Sequence, residues 1–445
     1  MENKRETFGS RLAVVMAMAG SAIGLGNIWR FPYLAGQYGG AAFILVYALS
    51  SFVLALPIFW AESIIGRRGG GNTFGALEKL APGTRWKSLG LLTVLTPIVL
   101  LSYYSVVGGW SVDYLFKACT LSFQGDVQGL FQRFISSPWE PVIMHTVFLS
   151  ATAAIVILGV KNGIEKFTKL TMPLLFVLIV AIVIFGLTLP GARAGAEYLL
   201  KPDFSKINAQ TVAIAMGQAF FSLSLGVGTI LTYASYVSKK ENLFISGMGT
   251  AVSDFLFALL AGFAVMPAVF SAGIAPHEGA GLVFDTLPYI FSRMQSWVGA
   301  VVAILFFLTV LVAALTSSIS LLEVGVAYLS EEKGMSRVRA TVVLGLVAWA
   351  VGILCSLSFD PLSSFKLMGL SLFDFLDNLV ATWLMPVGGL LFVIFVGWKM
   401  SKDDVRDEFT SGGTCNVRLF NWVYFLMRYL APVGIAVVFV TTLLN

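Results

Sequence analysis

The sequence predicts an all-α integral membrane protein of about eleven transmembrane helices, folded as two inverted five-helix repeats whose first and sixth helices are broken. Three observations carry that expectation. Hydrophobic residues make up 57% of the 445 residues and charged residues only 12%, with a mean hydropathy of +0.85, whereas soluble domains run to about 25% charged. Apolar segments long enough to cross a bilayer recur along the whole chain. The first, residues 11–37, holds Gly20, Gly24 and Gly26 near its centre, where each glycine weakens a helix by roughly 1 kcal/mol relative to alanine.

A helix that breaks halfway through lipid frees peptide groups that no water can reach. Such groups are tolerated only where they are buried in protein or line a cavity and can meet an ion or ligand. Gly24-Leu25-Gly26-Asn27 is echoed by Gly226-Val227-Gly228-Thr229, again in the middle of an apolar segment. Paired breaks in corresponding positions point to the substrate site of a secondary transporter.

In chain order, residues 1–10 form a short cytoplasmic start. Five spans follow within 11–189: 11–37, 41–67, 88–118, 141–159 and 166–189. After a connection at 190–209 come five more within 210–398: 210–237, 243–272, 295–329, 338–357 and 366–398. An eleventh, 418–444, lies outside the repeat. An odd number of spans per repeat inverts the second copy. The longer outer loops, 119–140, 190–209 and 273–294, mix Gly, Pro and charge and are expected to form short lids. With residue 1 inside, twenty Lys and Arg flank the inner ends of the spans and seven the outer ends, with Arg30 and Arg428 within spans. That bias places the N-terminus in the cytoplasm and the C-terminus outside, in the cell's inner (plasma) membrane. It also accounts for the net charge of +5 without a nucleic-acid partner.

Charges inside spans are costly, and each is a functional candidate: Arg30, Glu62, Asp254, Glu323, Asp374 and Asp377. Arg30 stands one turn beyond Gly26, on the side where Asp374 and Asp377 begin the tenth span. Arg30 and Asp377 form either an outer gate or a static pair sealing the bundle. Glu62 is expected to accept hydrogen bonds from amides freed near Gly24. Mid-span hydroxyls, Thr316, Ser317 and Ser318 in one stretch and Ser222 and Ser224 in another, either back-bond to their own helices or serve as oxygen ligands for a hard cation. Tyr103-Tyr104 offers a phenol for a carboxylate or an ordinary packing pair.

Several classes are disfavoured. Cys119, Cys355 and Cys415 have no spacing for a disulfide framework or a zinc site and are read as packing residues. With only His145 and His277, a histidine metal cluster or nucleophile has little to draw on, so the chain is not expected to be an enzyme. Lys4, Arg5 and Arg11 ahead of apolar residues and Ala17-Met18-Ala19 imitate a signal peptide, but hydrophobicity resumes at once and no cleavage is expected.

The run Ala19-Gly20-Ser21-Ala22-Ile23-Gly24-Leu25-Gly26-Asn27-Ile28-Trp29-Arg30-Phe31-Pro32-Tyr33, with Gly39-Gly40-Ala41-Ala42-Phe43 after it, closely resembles the first span of neurotransmitter:sodium symporters. Pro57 with Glu62 and Gly66-Arg67, Tyr103-Tyr104, Phe220-Phe221-Ser222-Leu223-Ser224-Leu225-Gly226, Tyr233-Ala234-Ser235-Tyr236 and Leu315-Thr316-Ser317-Ser318 extend the resemblance, in order, over spans one to ten. It implies the leucine-transporter fold of bacterial amino-acid carriers and a sodium-coupled symporter with two sodium sites and no organic cofactor. The first site resembles the Ala22 carbonyl, Asn27, Ser222, Asp254 and the substrate carboxylate. The second resembles the carbonyls of Gly20, Ile23 and Ala313 with the hydroxyls of Thr316 and Ser317. The carboxylate of an amino-acid substrate is expected at the amides near Leu25 and Gly26 and at Tyr104, and its amino group at carbonyls near Ala22, Phe221 and Ser222. By the same resemblance Arg5 and Glu331 form the inner gate, with Glu331 where an Asp is usual.

Monoamine carriers of this family place an Asp at the position of Gly24, so the substrate here is expected to bring its own carboxylate. The side-chain pocket resembles Leu25, Leu100, Phe221, Ser224, Val227, Ser317 and Leu321, largely apolar and without a partner for a charge. A leucine-carrying member has a larger aromatic residue at Val227, so a roomier pocket for bulky hydrophobic or aromatic amino acids is expected. Asp254 replaces a neutral Asn of chloride-dependent members, which implies chloride independence. The family's usual twelfth span is missing, so a dimer that uses it is not implied and the oligomeric state stays open. Alternatives are an ion channel, an amino-acid sensor, or a carrier of small neutral or ω-amino acids.

Overall fold

The computed structural model of the chain describes residues 6–124, 127, 129–273, 281–415 and 417–444. Apart from one isolated bridge, Leu367 to Leu370, every regular element among them is helical. Among the described residues nine helices are long and apolar enough to cross a membrane, from Ala41–Gly69 to Phe420–Thr441. Two broken pairs join them. Arg11–Ala22 and Gly26–Gln37 are bent by 62° at the first break. Ala209–Ser222 and Thr229–Ala234 flank the second. Each of the eleven apolar segments is therefore helical.

Burial sorts the spans into centre and rim. The third span, Lys87–Cys119, has 78% of its apolar window buried, against 33% for the fourth, Glu140–Ile157, and for the eleventh. The third packs along the eighth, Ser296–Glu332, and the inner half of the first span lies against the fifth, seventh and eighth. At 37 residues and 1.5 Å per residue, the eighth is roughly 55 Å long, well beyond the hydrocarbon core of about 30 Å. Its last turn, with Glu331 and Glu332, therefore projects out of the lipid.

Boundaries depart from the sequence reading where local chemistry overrides hydropathy. The tenth span begins at Leu372 and not at 366. Met368 and Gly369 take positive φ of 52° and 84°, which no helix accommodates, and the Ser371 hydroxyl accepts from the Asp374 amide as an N-cap. The fifth begins earlier, with the turn Val160–Glu165. A helix absent from the sequence reading, Lys402–Phe409, crosses the end of the second span: Ser401 caps it, Glu408 pairs with Arg67, and Asp404 and Asp407 pair with Arg68. Of the cysteines, Cys355 is buried as a packing residue, whereas Cys119 is exposed and does not pack. The outer loops hold short helices, Leu130–Ser136, Ala192–Leu200 and Leu282–Ser292; His277 lies outside the described residues.

Candidate functional site

The amide freed at the first break is satisfied from within, its carbonyls from other spans. Ile23 turns to ψ 111°, ending the inner helix, and the freed Gly24 amide donates to Asn27 Oδ1 at 3.0 Å. Carbonyls freed on the other side turn to neighbouring hydroxyls. Ser317 Oγ lies 3.5 Å from Gly20 O and 3.2 Å from Ile23 O, and Ser224 Oγ donates to Ser21 O at 2.9 Å.

The second break takes left-handed backbone. Ser224, Gly226 and Gly228 all have positive φ, 52°, 80° and 77°. A Cβ on Gly226 would stand 2.0 Å from Met385 O, so the tenth span packs directly against that backbone. Glu62, fully buried, accepts the Gly226 amide at 2.7 Å. This corrects the expectation that Glu62 serves Gly24: Asn27 already satisfies Gly24, leaving the second break as the one that needs an acceptor.

Around the breaks the oxygens gather into two clusters. In one, Ser222 Oγ lies 2.8 Å from each Asp254 carboxylate oxygen, Asn27 Nδ2 donates to Ser222 Oγ at 3.0 Å and to Asp254 Oδ1 at 2.8 Å, and Tyr47 Oη donates to Oδ2 at 3.3 Å. Ala22 lines the cavity beside them. The Asp254 carboxylate is 1% exposed, and its hydrogen-bond partners are all neutral. In the other cluster, Thr316 Oγ lies 2.9 Å from Ala313 O, and a Cβ on Gly20 would touch Thr316 Cβ at 3.3 Å. Ser317 thus reaches the Gly20 and Ile23 carbonyls, while Thr316 packs beside Gly20 with its hydroxyl on Ala313 O. Thr316 also back-bonds to Val312 O, as membrane hydroxyls commonly do. The second cluster presents only carbonyl and hydroxyl oxygens, ligands that suit a hard cation; in the first, the Asn27 amide nitrogen faces the oxygens.

Between the clusters is a cavity of about 30 Å³ whose walls include Gly24, Leu25, Gly26, Leu100, Tyr104, Phe221, Ser222, Ser224, Ser317 and Leu321. None of its lining side chains is charged. The Tyr104 hydroxyl is buried within reach of the Ser317 hydroxyl and the Leu25 amide. Val227 is fully buried but does not line the cavity, and Met385 does. The sequence argument that Val227 enlarges the pocket therefore loses its basis. Met385 gave no signal, because it stands in an apolar run like any other; the same holds for Tyr47.

Above Leu25, Gly26, Tyr104 and Phe221 opens a vestibule of about 620 Å³, which also receives Arg30, Asp374 and Asp377. Arg30 and Asp377 face this space without forming an ion pair. The Arg30 guanidinium instead lies 5.6 Å from the centre of the Phe221 ring. At the opposite end, Glu331 Oε2 accepts from the Asn72 amide at 2.7 Å and from Asn72 Nδ2 at 3.1 Å; Arg5, its expected partner, lies outside the described residues. Glu323 is no part of the clusters. It is buried against Arg337 and accepts from Tyr236 Oη at 2.7 Å.

Residues 5–128 and 131–445 match the Sodium:neurotransmitter symporter family. The chain is 38% identical over 442 residues, 98% of each chain, to the uncharacterized sodium-dependent transporter YhdH of Bacillus subtilis. It is 28% identical over 447 residues, 89% of this chain and 69% of the other, to the sodium-dependent serotonin transporter of Drosophila melanogaster. Among solved structures, MhsT in complex with L-phenylalanine superposes with a TM-score of 0.90 at 40% identity, covering 98% of this chain and 99% of that one.

Proposed function

The chain belongs to the Sodium:neurotransmitter symporter family, whose members are sodium-dependent membrane transporters and not enzymes, and from that premise we propose that it carries neutral hydrophobic or aromatic L-amino acids together with sodium. The observation that carries the reading is the buried Asp254 carboxylate, ringed by neutral donors at the point where two spans come apart. A buried carboxylate with no basic neighbour is costly unless a cation joins it.

In this reading two sodium ions are cargo. One is held by the Ala22 carbonyl, Asn27, Ser222, Asp254 and the substrate carboxylate. The other is held by Gly20, Ile23 and Ala313 carbonyls with Thr316 and Ser317. The zwitterion's carboxylate lies at the Leu25 and Gly26 amides, at a half-helix N-terminus, and takes the Tyr104 hydroxyl. Its side chain enters the uncharged cavity, with Phe221 on the wall shared with the vestibule. The L-phenylalanine held by MhsT supports an aromatic substrate here. The fixed charge of Asp254 makes chloride unnecessary.

Transport then alternates access. Arg30 and Asp377 close the vestibule over bound substrate, Arg5 and Glu331 part, and the inner half of the first span swings away. The repeats 11–189 and 210–398 move against one another while the N-terminus stays cytoplasmic and the C-terminus outside, in the plasma membrane. Each sodium entering an interior-negative cell adds about 2.3 kcal/mol per 100 mV.

The test is uptake of radiolabelled phenylalanine into proteoliposomes under a sodium gradient, competed by each of the twenty amino acids. Competition by Phe, Tyr, Trp and Leu, with none by Glu or Lys, is expected. Flux that does not saturate would indicate a channel, and binding without accumulation a sensor.

A further inference from the structure

Arg428 lies in the eleventh span, and transport gives it no task. Its guanidinium carbon stands 5.7 Å from the centre of the Trp398 ring, 5.9 Å from that of Tyr424 and 5.5 Å from that of Tyr429. One N–H donates to Tyr424 Oη at 3.3 Å, and the Nε–H is buried without a partner. No carboxylate among the described residues pairs with it. The nearby acids are used elsewhere or face solvent: Asp404 and Asp407 pair with Arg68, Glu408 pairs with Arg67, and Asp403 is exposed.

Two further cations share this corner. Lys402 Nζ lies 5.6 Å from the centre of the Tyr424 ring, and exposed Lys399 ends the tenth span. The depth follows from Gly397, whose added Cβ would stand 3.1 Å from Arg428 Cα and whose carbonyl accepts from Tyr424 Oη at 3.2 Å. Arg428 is thus level with a residue two places from the end of the tenth span, about 3 Å along its axis. Trp398 and Tyr429 are 48% and 49% exposed, and Trp422 is 71% exposed. Rings of this type, half in protein and half in lipid, mark the membrane–water boundary.

We propose that this corner between the tenth and eleventh spans binds the phosphate of an anionic phospholipid headgroup. A membrane-embedded cation calls for an opposite charge, and the protein offers none here. The guanidinium fork with unused N–H donors matches phosphate oxygens, and basic pockets between spans are known to take anionic headgroups. A soluble phosphate shares the chemistry, but the half-exposed rings around the guanidinium favour a ligand arriving from the bilayer.

The test titrates full-length protein in neutral detergent with phosphatidylglycerol, phosphatidylcholine or potassium phosphate at constant sodium, reading thermal unfolding and, by native mass spectrometry, retained lipid. For the wild type we expect phosphatidylglycerol alone to raise the midpoint and to be retained. In Arg428→Gln its apparent affinity should fall about tenfold, and in Lys402→Gln by less. An equal response of wild type and Arg428→Gln, or of the two lipids, would overturn the proposal. A rise with potassium phosphate as large as with phosphatidylglycerol would overturn the lipid source in favour of a soluble anion. If Arg428→Gln does not fold, Arg428→Lys and Lys402→Gln decide: unchanged phosphatidylglycerol affinity in both refutes the site.

Discussion

At Gly24 a single added carbon would stand 3.0 Å from Ser317 Oγ and 3.2 Å from Tyr104 Oη. Those are the two hydroxyls assigned to sodium and to substrate carboxylate, so Gly24→Ala should raise the KM for phenylalanine with little change in thermal stability. Tyr104→Phe is a cleaner probe. Its hydroxyl has only neutral protein neighbours, Ser317 and the Leu25 amide, to lose, worth about 0.5–1.5 kcal/mol, whereas a hydrogen bond to a charged group contributes about 1.5–3 kcal/mol. Substrate affinity should fall roughly 10- to 100-fold while the unfolding midpoint holds; a fall in midpoint with unchanged affinity would make Tyr104 a packing residue. Asp254→Asn should weaken sodium dependence of uptake, and wild-type uptake should be unaffected when gluconate replaces chloride. Much of this site was legible in the residues themselves, because Asn27, Ser222, Asp254, Thr316 and Ser317 are polar groups in apolar runs. Met385 and Tyr47 were not, since an apolar or aromatic residue in such a run gives no sign of which way it faces.

Among the elements, the two breaks differ in what holds them. The first is closed by its own Asn27, but the second depends on Glu62 from another span. Glu62→Ala strands the Gly226 amide in a buried setting and should cost about 1–3 kcal/mol of stability, read as a lower unfolding midpoint in detergent. Gly24 with Gly26, and Gly226 with Gly228, announce both interruptions in the sequence, because the same spaced pair recurs mid-segment in each half of the chain. Which break needed Glu62 was not legible, since that depends on how the second span is set against each. The same limit hid the helix Lys402–Phe409, which has too few apolar residues to register and is fixed by tertiary ion pairs with Arg67 and Arg68.

For the molecule as a whole, one buried pair ties the 10–11 connection to the second span. Arg67 and Glu408 have side chains 2% and 3% exposed, and Arg67 also reaches the Glu241 carbonyl. Glu408→Gln leaves Arg67 buried without its counter-charge and should destabilise by about 3–5 kcal/mol, visible as reduced recovery and a lower midpoint. In the proposed reading the paired breaks are the moving parts around this frame, and sodium is what would make them bind a zwitterion. The most direct measurement is equilibrium binding of radiolabelled phenylalanine to purified protein, with sodium varied against potassium at constant ionic strength. Affinity should rise steeply with sodium and vanish in potassium alone. Binding equally tight in potassium would contradict the account.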